Sequence, residues 1–211
     1  MRIFIIYALS TLFLFNPLIY AQTMQHNAIT QPIPIHEITG FENYPDVVKQ
    51  LIIKATSLTN LNLTYLYGSN NPKNNGMDCS GTINYLLAEA QVKDVPRDST
   101  DIYKWVERNG KFHAVNSNQF NSSEFADLKP GDLLFWTGTY HVNRNPPISH
   151  VMLYIGKNQQ GEPLMFGASD GRTYQNKQMW GVSVFDFKLP NDNSVSRFIG
   201  YSCIPGLTCN L

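Results

Sequence analysis

A cysteine with a polar, glycine-flanked approach stands directly before a helical pattern. Residues 76–81 read GMDCSG, and the apolar residues that follow recur at helical spacing, at Ile83, Leu86, Leu87 and Ala90. Asp78 is a typical N-cap, because its carboxylate can accept hydrogen bonds from the unpaired amides of the first turn. Cys79 is then the first helical residue, where the helix dipole favours thiolate over thiol. Free cysteines are often buried core residues, but this polar setting favours a nucleophile that attacks carbonyl groups.

A nucleophilic cysteine needs a general base, and one of the five histidines has a fitting position. His150 opens the apolar stretch HVMLYIG, which is predicted to be a strand and follows the loop ending at Ser149. A strand end that faces a helix start across a cleft can hold an imidazole beside a thiol. The alternative is a histidine whose hydrogen bonds are satisfied inside the sheet. Of the other histidines, His26, His36 and His113 are predicted to be surface groups, and His141 is predicted to lie in a loop.

The elements that must position these residues change along the chain from helices to strands. One helix is predicted from Pro45 to about Asn60, one from Cys79 to about Gln91, and one with Ser99 as cap and Gly110 past its end. The predicted strands are Asp132–Trp136, Ser149–Ile155, Pro163–Ala168, Gly181–Phe187 and Phe198–Ile204. Helices followed by strands indicate an α+β domain with a largely antiparallel sheet.

Length and composition allow one well-buried domain and exclude few functions. The chain has 211 residues and a net charge of zero, and only 15% of its residues are charged. Because no basic run occurs, nucleic acid is not an expected partner. An apolar run from Ile3 to Phe15 and a small residue at Ala21 predict a removed signal peptide over 1–21, with an uncleaved anchor as the alternative. We then expect an extended segment at 22–44 and one domain at 45–211, exported to the periplasm or beyond, with no stable membrane span after leader removal.

Export bears on the three cysteines. In an oxidising compartment Cys203 and Cys209 could pair across a Pro-Gly turn, which would leave Cys79 as a free thiol. The alternative is that all three cysteines are reduced and the last two only pack.

Five short motifs occur in a fixed order along the chain. They are YLYGS at 65–69, DCSG at 78–81, PRDS at 96–99, LKPGDLLF at 128–135 and SHVMLYIG at 149–156. In this order the chain resembles the NlpC family of papain-like cell-wall cysteine peptidases, also named after a sixty-kilodalton secreted protein. The resemblance covers roughly Val47 to Ile204.

The resemblance implies a papain-like fold, with amino-terminal helices packed on a central antiparallel sheet. It implies that Cys79 is the nucleophile, that His150 is the base, and that Tyr65 lines the site and hydrogen-bonds near the thiol. Asp78 and Ser80 match positions that hold the amino-terminal side of the substrate. The implied activity is hydrolysis of peptidoglycan stem peptides, typically between D-glutamate and a diamino acid, by a monomer through an acyl-enzyme, without a metal or organic cofactor.

The chain departs from the resemblance at the third catalytic position. Similar enzymes place a polar residue, usually histidine, where this chain has Gly167. Either Ser169, Asp170 or a backbone carbonyl orients His150, or a dyad suffices. Three functions therefore remain open: an endopeptidase that remodels the producer's own wall, the same chemistry in an antibacterial effector, and a non-catalytic wall-binding module. Acyl transfer to an acceptor other than water also remains open.

Overall fold

A computed structural model of the protein describes residues 26–109 and 111–211, so the expected leader at 1–21 and Gly110 lie outside the described residues. The α-helices are α1 (Asp46–Leu58), α2 (Cys79–Glu89) and α3 (Ser99–Arg108). The strands are β1 (Thr64–Tyr65), β2 (Gly76–Met77), β3 (Phe112–Ala114), β4 (Leu133–Thr137), β5 (Ile148–Lys157), β6 (Pro163–Ser169), β7 (Thr173–Tyr174), β8 (Lys177–Gln178), β9 (Gly181–Asp186) and β10 (Arg197–Ser202). In this described part of the chain, no helix has the length and apolar character that crossing a bilayer requires.

The centre of the fold is a six-stranded sheet with the order β3-β10-β4-β5-β6-β9. Every neighbouring pair in it is antiparallel. The short strands β1 and β2 form a parallel pair, and β7 and β8 form a hairpin. The predicted α+β class with a largely antiparallel sheet is therefore confirmed. All five predicted strands occur, whereas β3 and the four two-residue strands were not predicted because they carry too few residues for a period.

The first helix forms as its apolar spacing predicts. Val48, Leu51, Ile52 and Ala55 are buried on one face of α1 and belong to the core cluster that includes the central sheet. Burial of such a face, more than intrinsic propensity, stabilises a helix of this length.

The cap of α3 differs from the prediction. Asp98, not Ser99, is the N-cap, and its Oδ1 accepts hydrogen bonds from the amides of Thr100 and Asp101 at 2.8 and 3.0 Å. The Ser99 hydroxyl instead donates to the carbonyl of Ile148 at 2.8 Å. Ser99 therefore ties the start of α3 to the strand that carries His150.

The segment before α1 packs along the domain. Ile29 forms a bridge with Trp180, just before β9, and Ile38 forms one with Asn158, just after β5. Ile33 and Ile38 are buried in the core.

The carboxyl-terminal cysteines are close in space. Cys203 and Cys209 form a disulfide with their Cα atoms 4.9 Å apart, and Cys79 is the free cysteine of the three. All three cysteines lie within the described residues.

Candidate active site

The start of α2 is built by a tight contact with the loop before it. Asp78 caps the helix by accepting a hydrogen bond from the Gly81 amide at 2.6 Å. A Cβ at Gly81 would lie 2.1 Å from the carbonyl oxygen of Ser69, a distance that no side chain tolerates. Gly81 is therefore needed so that the loop can pack against the start of the helix, next to Cys79.

The Asp78 carboxylate is held by charge and by backbone amides. Arg97 donates to both of its oxygens, from Nη1 at 3.0 Å and from Nη2 at 2.8 Å, and Gly68 donates its amide at 2.7 Å. Ser80 donates its hydroxyl to Asp78 at 3.3 Å and accepts from Arg97 at 3.0 Å. The two residues expected to hold the substrate thus form one network with Arg97. Arg97 lies in the PRDS motif, but sequence reasoning assigned it no role.

The Cys79 thiol lies at the first position of α2, as predicted, but it is only 3% exposed. Burial, followed by the Asp78 carboxylate, raises the pKa of this thiol to about 11, although the amides of Val151 and Ser80 lower it by hydrogen bonding. The expectation that the helix start favours the thiolate is therefore wrong for the resting structure. Desolvation outweighs the two amides.

His150 lies near the start of β5, opposite Trp136 of β4, and their rings meet edge to face at 5.8 Å. Burial, followed by the nearby Arg172 cation, holds the pKa of His150 well below its ordinary value. The imidazole is therefore neutral, the form that a base requires. The backbone amide of Val151, the residue after His150, hydrogen-bonds to the Cys79 sulfur. The thiol therefore lies beside the strand segment that carries His150.

In the described part of the chain, no side chain pairs with Nε2 of His150 in the way a third catalytic residue would. The Nε2 atom of His150 is buried without a hydrogen-bond partner among the described residues, so neither Ser169 nor Asp170 nor the Gly167 backbone orients the ring through it. A Cβ at Gly167 would lie 2.4 Å from the sulfur of Met152. Met152 thus fills the space that a larger residue at 167 would need.

The site opens into a groove with two cavities. The first, called here the His150 cavity, has a volume of about 590 Å³; His150, Ser169, Asp170, Arg172 and residues 138–140 and 194–196 line it. The second, called the Asp78 cavity, has a volume of about 200 Å³; Asp78, Cys79, Ser80, Arg97, Asp98 and Arg144 line it. Tyr65, Tyr67 and Tyr140 line both cavities, so the groove is continuous past these rings.

Tyr65 lines the groove as the resemblance implies. Burial raises the pKa of its phenol far above the ordinary value, with the Cys79 thiol as the next cause, so the phenol is protonated and lies near the thiol. Within the described residues the structure gives its hydroxyl no hydrogen bond, which leaves the group available to a substrate.

Arg172 is a site residue that sequence reasoning missed. Its guanidinium lies over the Trp136 ring, 4.6 Å from the ring centre, and lines the His150 cavity. No local pattern marks it, because the contact joins a loop after β6 to a ring on β4.

The described residues offer no group of three or more His, Cys, Asp or Glu side chains that could hold a metal ion.

Comparison with known proteins places this arrangement in a family. The sequence model of the NlpC/P60 family matches residues 62–183, more than half of the chain. The chain belongs to the NlpC/P60 family. The matched part of this NlpC/P60 protein contains Cys79, His150, Arg97 and Arg172.

A solved structure from Staphylococcus aureus subsp. aureus Mu50, described as similar to a lipoprotein of the NLP/P60 family, is 20% identical to this NlpC/P60 chain. The match covers 67% of this chain and 42% of that one, with a TM-score of 0.42. This chain therefore spans less than half the length of that protein. No curated protein gives a match.

Proposed function

We propose that this protein is an exported cysteine peptidase that hydrolyses peptidoglycan stem peptides at the bond between D-glutamate and the diamino acid. Membership of the NlpC/P60 family supports a cell-wall peptidase-like function. The observation that carries the proposal is the position of the Cys79 thiol, at a helix start in an open groove and beside the amide that follows His150.

The pKa directions define how the reaction begins. The raised pKa of Cys79 and the lowered pKa of His150 make the resting pair a thiol and a neutral imidazole. The thiol proton therefore moves to His150 as the sulfur attacks the substrate carbonyl, and no ion pair is stored beforehand. The backbone amide of Cys79, at the start of α2, is a donor for the oxyanion that forms.

The second half of the reaction returns the proton. The imidazolium of His150 protonates the departing amine of the diamino acid, which leaves a thioester on Cys79. His150 then takes a proton from water, and the resulting hydroxide attacks the thioester and frees the D-glutamyl product. Tyr65, Asp78 and Ser80 hold the amino-terminal side of the stem peptide in the Asp78 cavity.

The decisive test is digestion of muropeptide-defined peptidoglycan, with products identified by mass spectrometry. We expect new stem-peptide fragments from the wild type and none from Cys79→Ala, because Cys79→Ala has no nucleophile. His150→Ala should lower the rate by about 10²- to 10⁴-fold, the typical contribution of a general base. Intact peptidoglycan after incubation with the wild type would reject the proposal for this substrate.

A non-catalytic wall-binding module is a second candidate, and a specific observation favours it. Nε2 of His150 has no hydrogen-bond partner among the described residues, and the Met152 sulfur lies where a side chain at residue 167 would begin; both observations support a weakened catalytic apparatus. If this candidate holds, the wild type and Cys79→Ala will bind peptidoglycan equally and neither will release fragments.

Export is part of the proposal, and the disulfide between Cys203 and Cys209 supports it, because such bonds persist in oxidising compartments. Fractionation of cells that express the chain with and without residues 1–21 tests it. Retention of both forms in the cytoplasm would contradict export.

A further inference from the structure

The His150 cavity is lined by a partly buried cation without a counter-charge. Among the residues that the structure describes, none forms a salt bridge or a hydrogen bond with the Arg172 guanidinium. The nearest carboxylate in sequence, Asp170, influences it only through space. Residues 1–25, which lie outside the description, contain no Asp or Glu that could supply a carboxylate.

Partial burial of this charge is unfavourable for the protein. Desolvation lowers the pKa of Arg172 to about 10, and the group is still a cation at neutral pH. A guanidinium has five N–H donors, and those of Arg172 pair with no acceptor among the described residues. The face of Trp136 attracts the cation and fixes the plane of the guanidinium, but it accepts none of these bonds in the way a carboxylate does.

A partly buried charge that lacks a protein partner and lines a cleft is typical of a ligand-binding group. Arg172 lines the same cavity as His150, and the Cys79 sulfur is close enough to influence its pKa. A ligand group that meets Arg172 would therefore lie next to the reacting carbonyl. The planar guanidinium selects carboxylates, which it binds through two parallel hydrogen bonds.

We propose that Arg172 binds a free carboxylate of the stem peptide beside the scissile bond, and that this group is the α-carboxylate of D-glutamate. D-glutamate is joined through its side chain in such peptides, so its α-carboxylate stays free on the acyl side of the bond. The protein therefore selects stem peptides with D-glutamate over those with D-isoglutamine, in which this carboxylate is an amide. The inference rests on the proposed function.

The test compares kcat/KM for two pairs of synthetic stem peptides. The first pair differs only in a free or amidated α-carboxyl of D-glutamate, and the second only in a free or amidated carboxyl of the diamino acid. For the wild type we expect amidation in the first pair to lower kcat/KM about 10- to 100-fold, because the amide cannot pair with the charge. Amidation in the second pair should have little effect.

Variants of Arg172 test whether this residue causes the preference for the acid peptide over the amide peptide. In Arg172→Gln the acid peptide should fall to the rate of the amide peptide, so the ratio approaches one, while Arg172→Lys keeps a partial preference. Arg108→Gln, at the exposed end of α3, is the matched control and should keep the wild-type ratio. A wild-type circular dichroism spectrum and a urea midpoint no lower than that of the wild type show that the Arg172 variants keep the native fold.

Three results would overturn the inference while leaving the proposed function intact. They are equal cleavage of the first pair by the wild type, a preference that survives in Arg172→Gln, and a preference that belongs to the second pair. If no peptide is cleaved, the proposed function fails instead. Calorimetry with Cys79→Ala then still tests Arg172, because the acid peptide should bind about 10- to 100-fold more tightly than the amide. Equal binding would overturn the inference.

Discussion

Two arginines flank Cys79, and their surroundings are opposite. Arg97, in the Asp78 cavity, donates to both oxygens of a carboxylate that two backbone amides also hold. Arg172, in the His150 cavity, has an aromatic ring beneath it and no carboxylate partner in the described structure. The first arginine completes the scaffold that fixes the start of α2. The guanidinium of the second has donors that can pair with a carboxylate of a ligand.

The thiol between these two arginines should react slowly at rest. Because burial raises the pKa of Cys79 to about 11, against 9.0 for an ordinary thiol, the thiolate fraction at neutral pH is about a hundredfold lower. We expect alkylation by a small reagent to be slower by at least this factor than in the unfolded chain. Its rate should increase about tenfold per pH unit up to the pKa.

Arg97→Met should slow alkylation further, because the Arg97 charge lowers the pKa of the thiol. Measurement of the alkylation rate against pH by mass spectrometry checks both statements. A rate that levels off near neutral pH would mean that the folded site stabilises the thiolate.

Replacing Arg97 should destabilise the protein more than replacing Arg172, because only Arg97 is paired with a carboxylate in the described structure. Arg97→Met leaves the buried Asp78 carboxylate without its cation, and we expect the free energy of unfolding to fall by about 2 kcal/mol. This loss is smaller than the roughly 3–5 kcal/mol typical of breaking a fully buried ion pair, because the Arg97 side chain is itself 36% exposed. Arg172→Met removes a partly buried charge that has no carboxylate partner in the described structure, so stability should stay within about 0.5 kcal/mol or increase.

Urea denaturation of both variants and the wild type measures this difference. Equal destabilisation by the two substitutions would show that Arg172 is a structural residue, and the contrast between the cavities would be lost.

The third catalytic position offers a smaller test on the His150 side. Gly167→His places a side chain where the Met152 sulfur lies, so the unfolding free energy should fall by about 1–3 kcal/mol. Met152→Gly added to Gly167→His makes space for the new ring and should recover part of that loss. The double variant can also give Nε2 of His150 a partner, which NMR titration of the imidazole would detect as a shifted pKa. Wild-type stability of the single variant would contradict the packing argument.

The sequence predicted the parts of the site that depend on neighbouring residues. An N-cap, a helical period and a strand start suffice to place Cys79 and His150, because each signal lies within a few residues. The pairing of Asp78 with Arg97 spans nineteen positions and the contact of Arg172 with Trp136 spans thirty-six, so no local pattern encodes them. The burial of Cys79 depends on β5 packing against α2, which a helix-dipole argument does not include.

The same limit applies to Gly167. Its identity is visible in the sequence, but the side chain that meets any Cβ at this position, Met152, lies on the neighbouring strand. Strand register is a long-range property, and a shift of one residue would place Met152 on the other face.

Because of the position of β10 in the sheet, the part of the chain that matches the family model is smaller than the part that the fold requires. The family match ends at residue 183, within β9, yet β10 lies inside the sheet, between β3 and β4. A fragment trimmed to the match would lack this strand as well as α1, and β4 would become an unpaired edge. Open edges of this kind pair with other chains, so such a fragment would be prone to aggregate. Gene dissection, domain shuffling or inhibitor screening should therefore preserve β10.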